Sequence, residues 1–450
     1  MQKGAEAVLA GSVHTANHRW TAACAPLSVV YSLFPDTRYL AKIKDYLADG
    51  IDVNADGCWY HERSPNYNGV ATMGILALLD NLPELAETLL PPLRRHAEFL
   101  VNSLQPNNEA DSTLSHRQDR FSPGRPASTY GAVRRLALLT GDGRLSTLAG
   151  ILWRQNPSPD AEMVPLLLQL DAHPAPLPPP APLPDTTTIH WKETGQVRIR
   201  RRPTLLSLAS DAGGHFYDTV RDQWGGPRRS DDWFHLHHAG VVVESLHLAG
   251  AGMRNAQPAI LRKLATGHYE LAADQRGWEH TLHFRPGSPR IPVTWDWKTD
   301  ITLREQNATA ATTTTAASAA NVFELRIRST TPVSLLASLN WWLRPGITYC
   351  EGNDAPRRLE ARERHALKGG RPLVLADEIS GARITIEGLP SACHSVPVFH
   401  EPSIPSALPT QCAALHLGLL FPVDIALTLS CSPAAHPEKP APPLPFVIRH

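Results

Sequence analysis

The chain has 450 residues, 43 of them basic and 43 acidic, and is 42% hydrophobic. That length allows two or three domains with cores of their own, and the balanced charge excludes a global field that would draw it onto nucleic acid or an anionic membrane surface. Six cysteines without any CxxC spacing argue against a zinc ribbon or a dense disulfide scaffold, and 41 prolines exceed the usual share of about 5%.

The first twenty residues, MQKGAEAVLAGSVHTANHRW, hold an apolar run too short and broken for a secretory segment. No later stretch approaches the ~20 apolar residues of a membrane helix. As written the chain reads as cytoplasmic, or as periplasmic or secreted if a leader precedes it. From Trp20 to Leu170 apolar residues recur at three and four, which predicts helices over 20–33, 37–48, 69–80, 83–103, 128–139, 143–154 and 160–170. An αα-hairpin turned at Asn81–Pro83 is the best defined of these. Long helices joined by short turns indicate a bundle, a solenoid or an αα-toroid.

HPAPLPPPAPLPD, residues 173–185, breaks the helical pattern and reads as a semi-rigid polyproline spacer. After it VRIRRRPTLLSLAS, GVVVESLHLAG, HTLHFRPG, VTWDWKTDITLRE, VFELRIRSTT, PLVLADEI and ARITIEGL read as strands, bounded by Gly, Pro, Asp and Ser. Many strands without intervening helices predict an antiparallel β-sandwich. ATAATTTTAASAAN, residues 308–321, reads as an exposed connector. The resulting division is an α+β multidomain chain: helical 1–172, linker 173–185, β-sandwich 186–435 and a Pro-rich tail 436–450.

The densest polar cluster of the helical half is DGCWYHERSPNYNG, residues 56–69, a loop feeding a long helix. It holds His61, Glu62, Arg63, Asn66, Tyr67 and Asn68 together, and loops on rigid helical scaffolds commonly carry function. The plainer account is structural: Ser64 or Asn68 caps the helix, Pro65 sets the turn and Glu62 pairs with Arg63. TANHRW contributes Asn17, His18, Arg19 and Trp20, and STLSHRQDR contributes His116, Arg117, Gln118, Asp119 and Arg120. In the β half, GGHFYDTVRDQWGGPRRSDDWFHLHHAG concentrates histidine. On a strand His235 and His237 share one face and His238 takes the other, so a pair can face a substrate or bind zinc, or simply fill a half-buried strand. His215 and Tyr217 are rivals in the same segment, and Arg228 and Arg229 suit either an anionic ligand or a solvated turn.

The order Asn17-His18, then Glu62-Arg63-Ser64-Pro65-Asn66-Tyr67, then a helical hairpin, a proline linker and a β-rich half resembles the heparinase II/III-like polysaccharide lyases and the related alginate lyases. The resemblance implies an incomplete (α/α) toroid of helical hairpins followed by an antiparallel β-sandwich. It also implies β-elimination on a uronic-acid polysaccharide or oligosaccharide, with no metal and no cofactor. It gives Asn17 and His18 the role of neutralising the uronate carboxylate, which makes the adjacent carbon acidic. It gives Tyr67 the role of base and acid, with cations such as Arg63 or His18 favouring the phenolate. Glu62, Arg63, Arg117, His235, His237 and His238 become candidates for substrate binding. A glycoside hydrolase on a similar helical scaffold is the alternative; it needs two carboxylates about 5 to 9.5 Å apart, for which Glu62 and Asp119 are candidates that no sequence feature pairs. A non-catalytic carbohydrate-binding or structural relative is the third reading, and the oligomeric state is open in all three.

Overall fold

A computed structural model describes residues 1–11, 19–60, 63–111, 113–115, 127–155, 175–210, 233–250, 260–279, 293–306, 321–330, 334, 336–393 and 411–432. These fall into a helical unit ending at Pro184 and a β unit beginning at Asp185.

Seven α-helices belong to the described part of the first unit: α1 Gln2–Ala10, α2 Ala25–Leu33, α3 Thr37–Ala48, α4 Pro65–Asn81, α5 Ala86–Ser103, α6 Ala127–Thr140 and α7 Gly143–Gln155. Their boundaries follow local chemistry. The Asp36 carboxylate accepts the Arg38 N–H at 2.9 Å and starts α3, which then buries Tyr39, Ile43 and Tyr46 on one stripe. Ser64 caps α4 by accepting the Tyr67 N–H at 3.2 Å, and Pro65 takes the first helical position, where its missing N–H costs nothing. Before α2 the six residues Arg19–Cys24 form a π-helical turn, so the expected helix over 20–33 is wound in two different ways. α1 lies in a stretch whose sequence predicts no helix. The expected helix over 160–170 lies outside the described residues.

α2 packs beside α4 and α4 beside α6, while α5 packs beside α7, so the hairpins are laid side by side in two rows. α6 runs in the same direction as α4. Thr129 at its start hydrogen-bonds the Pro65 carbonyl, and Arg135 further on pairs with Asp80 near the end of α4 at 2.6 Å. The core is made of Trp20, Leu27, Ile43, Trp59, Ile75, Leu93, Val133, Leu148 and their neighbours.

The proline tract packs on this unit. Leu177 and Leu183 are six residues apart, two turns of polyproline II helix, and both pack against the helical core. Ala181 ties the tract to α7 twice. Its N–H donates to the Gly143 carbonyl at 3.0 Å, and its carbonyl accepts the Thr147 hydroxyl at 2.6 Å. A free spacer would leave those leucines in water; apolar burial and two hydrogen bonds bind it to the helices instead.

The β unit holds two sheets. The eight-stranded sheet runs in the order β1 Thr186–Trp191, β2 Gln196–Arg201, β3 Thr204–Ala209, β4 Phe234–His238, β5 Val241–Gly250, β10 Leu336–Leu343, β16 Ala413–Leu420 and β13 Arg364–Ala366. The nine-stranded sheet runs β12 Arg357–Arg358, β11 Thr348–Glu351, β14 Leu373–Ala376, β15 Arg383–Glu387, β17 Val423–Ser432, β9 Asn321–Thr330, β8 Val293–Glu305, β7 His268–Glu279 and β6 Ile260–Ala265. Pairing is antiparallel except between β13 and β16. One apolar core lies between the sheets, fed by Ile199, Leu206, Leu236, Leu246 and Trp341 from the first and Leu271, Ile301, Leu325, Ile384 and Leu427 from the second. β9 shows the period-two rule plainly, alternating buried Phe323, Leu325 and Ile327 with exposed Glu324, Arg326 and Arg328.

An ion pair is built into the edge of this core. Arg201 Nε meets Glu305 Oε1 at 2.7 Å with the Glu305 side chain only 4% exposed, and burial pushes the Glu305 carboxyl up against the pull of Arg201. No helix among the described residues is long and apolar enough to cross a membrane.

Candidate active site

In the helical unit the loop before α4 is held from beneath. Gly57 adopts φ +87, and a Cβ there would stand 2.1 Å from the Arg95 carbonyl oxygen, so the loop lies directly on the α5 backbone. His96 of the same helix bonds the Gly57 carbonyl through Nδ1 at 2.8 Å, between Trp59 at one edge and Phe99 stacked against it. Nδ1 must carry the proton, because a carbonyl only accepts. Complete burial pushes the imidazole down to about 4, so it is neutral. Trp59 donates its indole N–H to the Thr72 hydroxyl at 3.1 Å, and that hydroxyl donates to the Asn68 carbonyl at 2.7 Å. The loop and the first two turns of α4 thus share one hydrogen-bonded frame.

Arg63 closes the loop in a left-handed conformation, φ 50, although it is not glycine. It is buried, its Nε directed at the Tyr60 carbonyl at 3.4 Å and its guanidinium 5.8 Å from the Tyr60 ring. Strain of this kind is held only where the surroundings fix it, and it clusters at functional positions. Tyr67 follows in the first turn of α4, half-buried. Next to it Asn68 is 4% exposed, and its side-chain oxygen has no hydrogen-bond partner among the described residues.

The segment after Asn17 and His18 is fixed to the same loop. Arg19 forms an ion pair with Asp52 and donates to the Gly50 carbonyl at 3.1 Å, while the Trp20 indole N–H also reaches Asp52, at 3.2 Å. α4 then closes on that segment, since a Cβ at Gly74 would lie 2.8 Å from the Trp20 carbonyl. Gly74 and Tyr67 are seven residues apart, which returns to the same helix face about 10 Å further along. Asn17, His18, Glu62 and Arg117 themselves lie outside the described residues, as do His61, Asp119, His215, Tyr217, Arg228 and Arg229.

In the β unit His235, His237 and His238 lie on β4 and are all buried. His238 faces the inter-sheet core and is held at both ring nitrogens, by the Thr204 hydroxyl at 2.9 Å and by the Ser432 carbonyl of β17. His235 and His237 lie on the opposite face. His235 Nδ1 is 3.4 Å from the Glu244 carbonyl and 3.8 Å from its carboxylate, which also receives Arg344 at 2.6 Å. His237 has no partner on either nitrogen among the described residues. Burial holds its pKa well below the ordinary histidine value, and Arg344 and the neighbouring histidines push the same way. The same face carries Ser207, Ser338 and Trp342, whose polar side-chain atoms are buried without a partner among the described residues. Arg198 and Arg200 of β2 join it, and burial together with Arg198 and Arg202 pushes Arg200 down to about 10. Among the described residues no three His, Cys, Asp or Glu side chains come together as a metal site.

Sequence reading found the loop and the histidine strand but missed Asp52, Gly74 and the Glu244–Arg344 pair. Only the Asp-Gly pattern around Gly57 signals a tight turn; nothing local in IDVNADG marks Asp52 as the anchor of Arg19.

No family model and no curated protein matches this sequence. Solved structures do. A heparan sulfate lyase mutant from Pedobacter heparinus superposes with a TM-score of 0.51 at 11% identity, over 97% of this chain and 63% of that one. The unmutated lyase from the same organism gives 0.50 at 10% identity over the same shares. The chain therefore has a fold similar to that of these lyases, an α+β fold of helical hairpins followed by two large sheets, and spans less than two thirds of their length.

Proposed function

We propose that this protein is a lyase that cleaves an acidic, uronate-containing polysaccharide by β-elimination, with Tyr67 as the proton-transfer residue. The observation that carries the reading is the contact of Gly74 with the Trp20 backbone, on the α4 face that also bears Tyr67. That contact ties the segment following Asn17-His18 to the helix of Glu62-Arg63-Ser64-Pro65-Asn66-Tyr67, as elimination requires of a carboxylate neutraliser and a proton acceptor working on one sugar. The fold likeness to heparan sulfate lyases supports the same class, and the two rows of hairpins suit part of an incomplete toroid.

In the proposed reaction Asn17 and His18 donate hydrogen bonds to the uronate carboxylate and stabilise the negative charge that develops there as the neighbouring C–H bond breaks. The proton passes to the Tyr67 oxygen. As the carbon–carbon double bond forms, the bond to the glycosidic oxygen breaks, and that oxygen takes the proton back from Tyr67. Glu62 and Arg117 are assigned to substrate binding. Arg63, buried behind Tyr60, acts by fixing the loop and placing positive charge behind the site. His235 and His237, whose nitrogens point away from the inter-sheet core, are the β-unit residues assigned to the substrate; His238 is assigned to the inter-sheet contact.

Incubation with heparan sulfate, hyaluronan, alginate and polygalacturonate, following both unsaturated-uronate absorbance and new reducing ends, tests this. Elimination yields both signals. Reducing ends alone would replace the lyase with a glycoside hydrolase, and neither signal on any polymer would leave a binding protein.

A further inference from the structure

Trp153 is 43% exposed near the end of α7, and its ring lies 5.1 Å from that of Tyr130 with 42° between their planes, an open V. Gly150 lies three residues before Trp153, on the same face of α7. Among the described residues a Cβ built on Gly150 would meet only Arg154 Nη1, at 3.7 Å, so the surface there is edged by a guanidinium. Tyr130 follows Thr129, whose hydroxyl bonds the Pro65 carbonyl at 3.0 Å, in the turn that carries Tyr67. The two rings therefore belong to the end of the helical unit where α4 and α6 begin.

We propose that Trp153, Tyr130 and Arg154 form a subsite for an anionic sugar ring of the polymer, at the end of the helical unit that carries Tyr67. The apolar C–H face of a pyranose stacks on an aromatic ring, and a planar guanidinium at its edge pairs with a carboxylate or sulfate. A large apolar ring left in water beside a second ring and a cation matches that ligand in shape and charge. The assignment takes its substrate class from the proposed function.

Binding of heparan sulfate, hyaluronan, alginate and polygalacturonate is measured by calorimetry in a Tyr67→Phe background, where no turnover intrudes. Turnover is measured separately with Tyr67 intact. Trp153→Ala is expected to weaken binding of each bound polymer about fivefold, in line with the ~1 kcal/mol of an aromatic stack. Trp153→Phe is expected to restore most of it. Arg154→Ala is expected to weaken binding and flatten its dependence on salt. With Tyr67 intact, Trp153→Ala should raise KM more than it lowers kcat. Circular dichroism melting of each variant separates lost binding from lost folding. Unchanged affinity and KM in a folded Trp153→Ala variant overturn the subsite and leave the lyase reading standing. Trp153-dependent binding by a protein without elimination activity overturns the lyase reading and keeps the subsite. Absence of binding to all four polymers overturns the subsite.

Discussion

The two units handle buried polarity differently. In the helical unit the buried polar groups around the loop before α4 are mostly matched: His96 to Gly57, Trp59 to Thr72, Thr72 to Asn68 and Ser64 to Tyr67. What is costly there is backbone, in the positive φ of the non-glycine residue Arg63. In the β unit a cost lies in side chains, on a sheet face where His237, Ser207, Ser338 and Trp342 are buried without partners among the described residues. A strained, matched loop fixes one side chain in place, whereas an unmatched polar face is suited to take up hydrogen bonds from something else.

The sharpest way to break this contrast is a pair of variants. Tyr67→Phe should lower elimination by about 10²- to 10⁴-fold while leaving thermal stability nearly unchanged, because a half-buried side chain keeps its ring and loses only a hydroxyl. His237→Leu removes a buried imidazole whose nitrogens are unmatched among the described residues, so it should stabilise the β unit by about 1 kcal/mol. If activity falls at the same time, the histidine face serves the substrate. If activity holds, that face is packing alone and His237 leaves the mechanism.

Next come the two stability anchors. Gly57→Ala places a methyl group against the Arg95 carbonyl at a positive φ, and should destabilise the helical unit by about 2 to 4 kcal/mol in urea unfolding. Glu305→Ala should cost about 3 kcal/mol in the β unit by leaving Arg201, 15% exposed, without its anion. Separate transitions for the two variants would establish that the units unfold independently.

Acid should act through His96. Its folded pKa of about 4 lies below the unfolded value of about 6.5, so the unfolded chain binds the extra proton between those values. Stability conferred on the neutral form is therefore full above pH ~6.5 and falls as pH drops toward ~4, by about 3 kcal/mol in all. His96→Gln should flatten that part of the profile. His237 acts in the same sense in the β unit, so His237→Leu should remove a further share of acid sensitivity. The smallest effect expected is at the surface: Asp80→Asn, which breaks the pair with Arg135, should cost under about 1 kcal/mol and less in high salt.

The sequence by itself determined the elements whose signals are local. Asp36 and Ser64 as caps, Pro65 at a first helical position and the four-and-three spacing of Tyr39, Ile43 and Tyr46 are readable because a helix is made of contacts a few residues apart. The alternation of β9 was readable for the same reason. β10, LASLNWWL, was not read as a strand, because seven of its eight residues are buried and no polar alternation marks it. The proline tract was legible as a break in helix but not as a packed element, since its partners, Gly143 and Thr147, lie some thirty residues earlier.

At the candidate site the sequence supplied residue types and spacing, and tertiary structure decided which of them meet. Nothing local links Arg19 to Asp52, Gly74 to Trp20, or Tyr130 to Trp153; each pair exists only because helices distant in sequence pack side by side. Chain-local patterns fix which face of an element is apolar, but the partner of that face is chosen by the free energy of the whole core, which no short window of sequence contains.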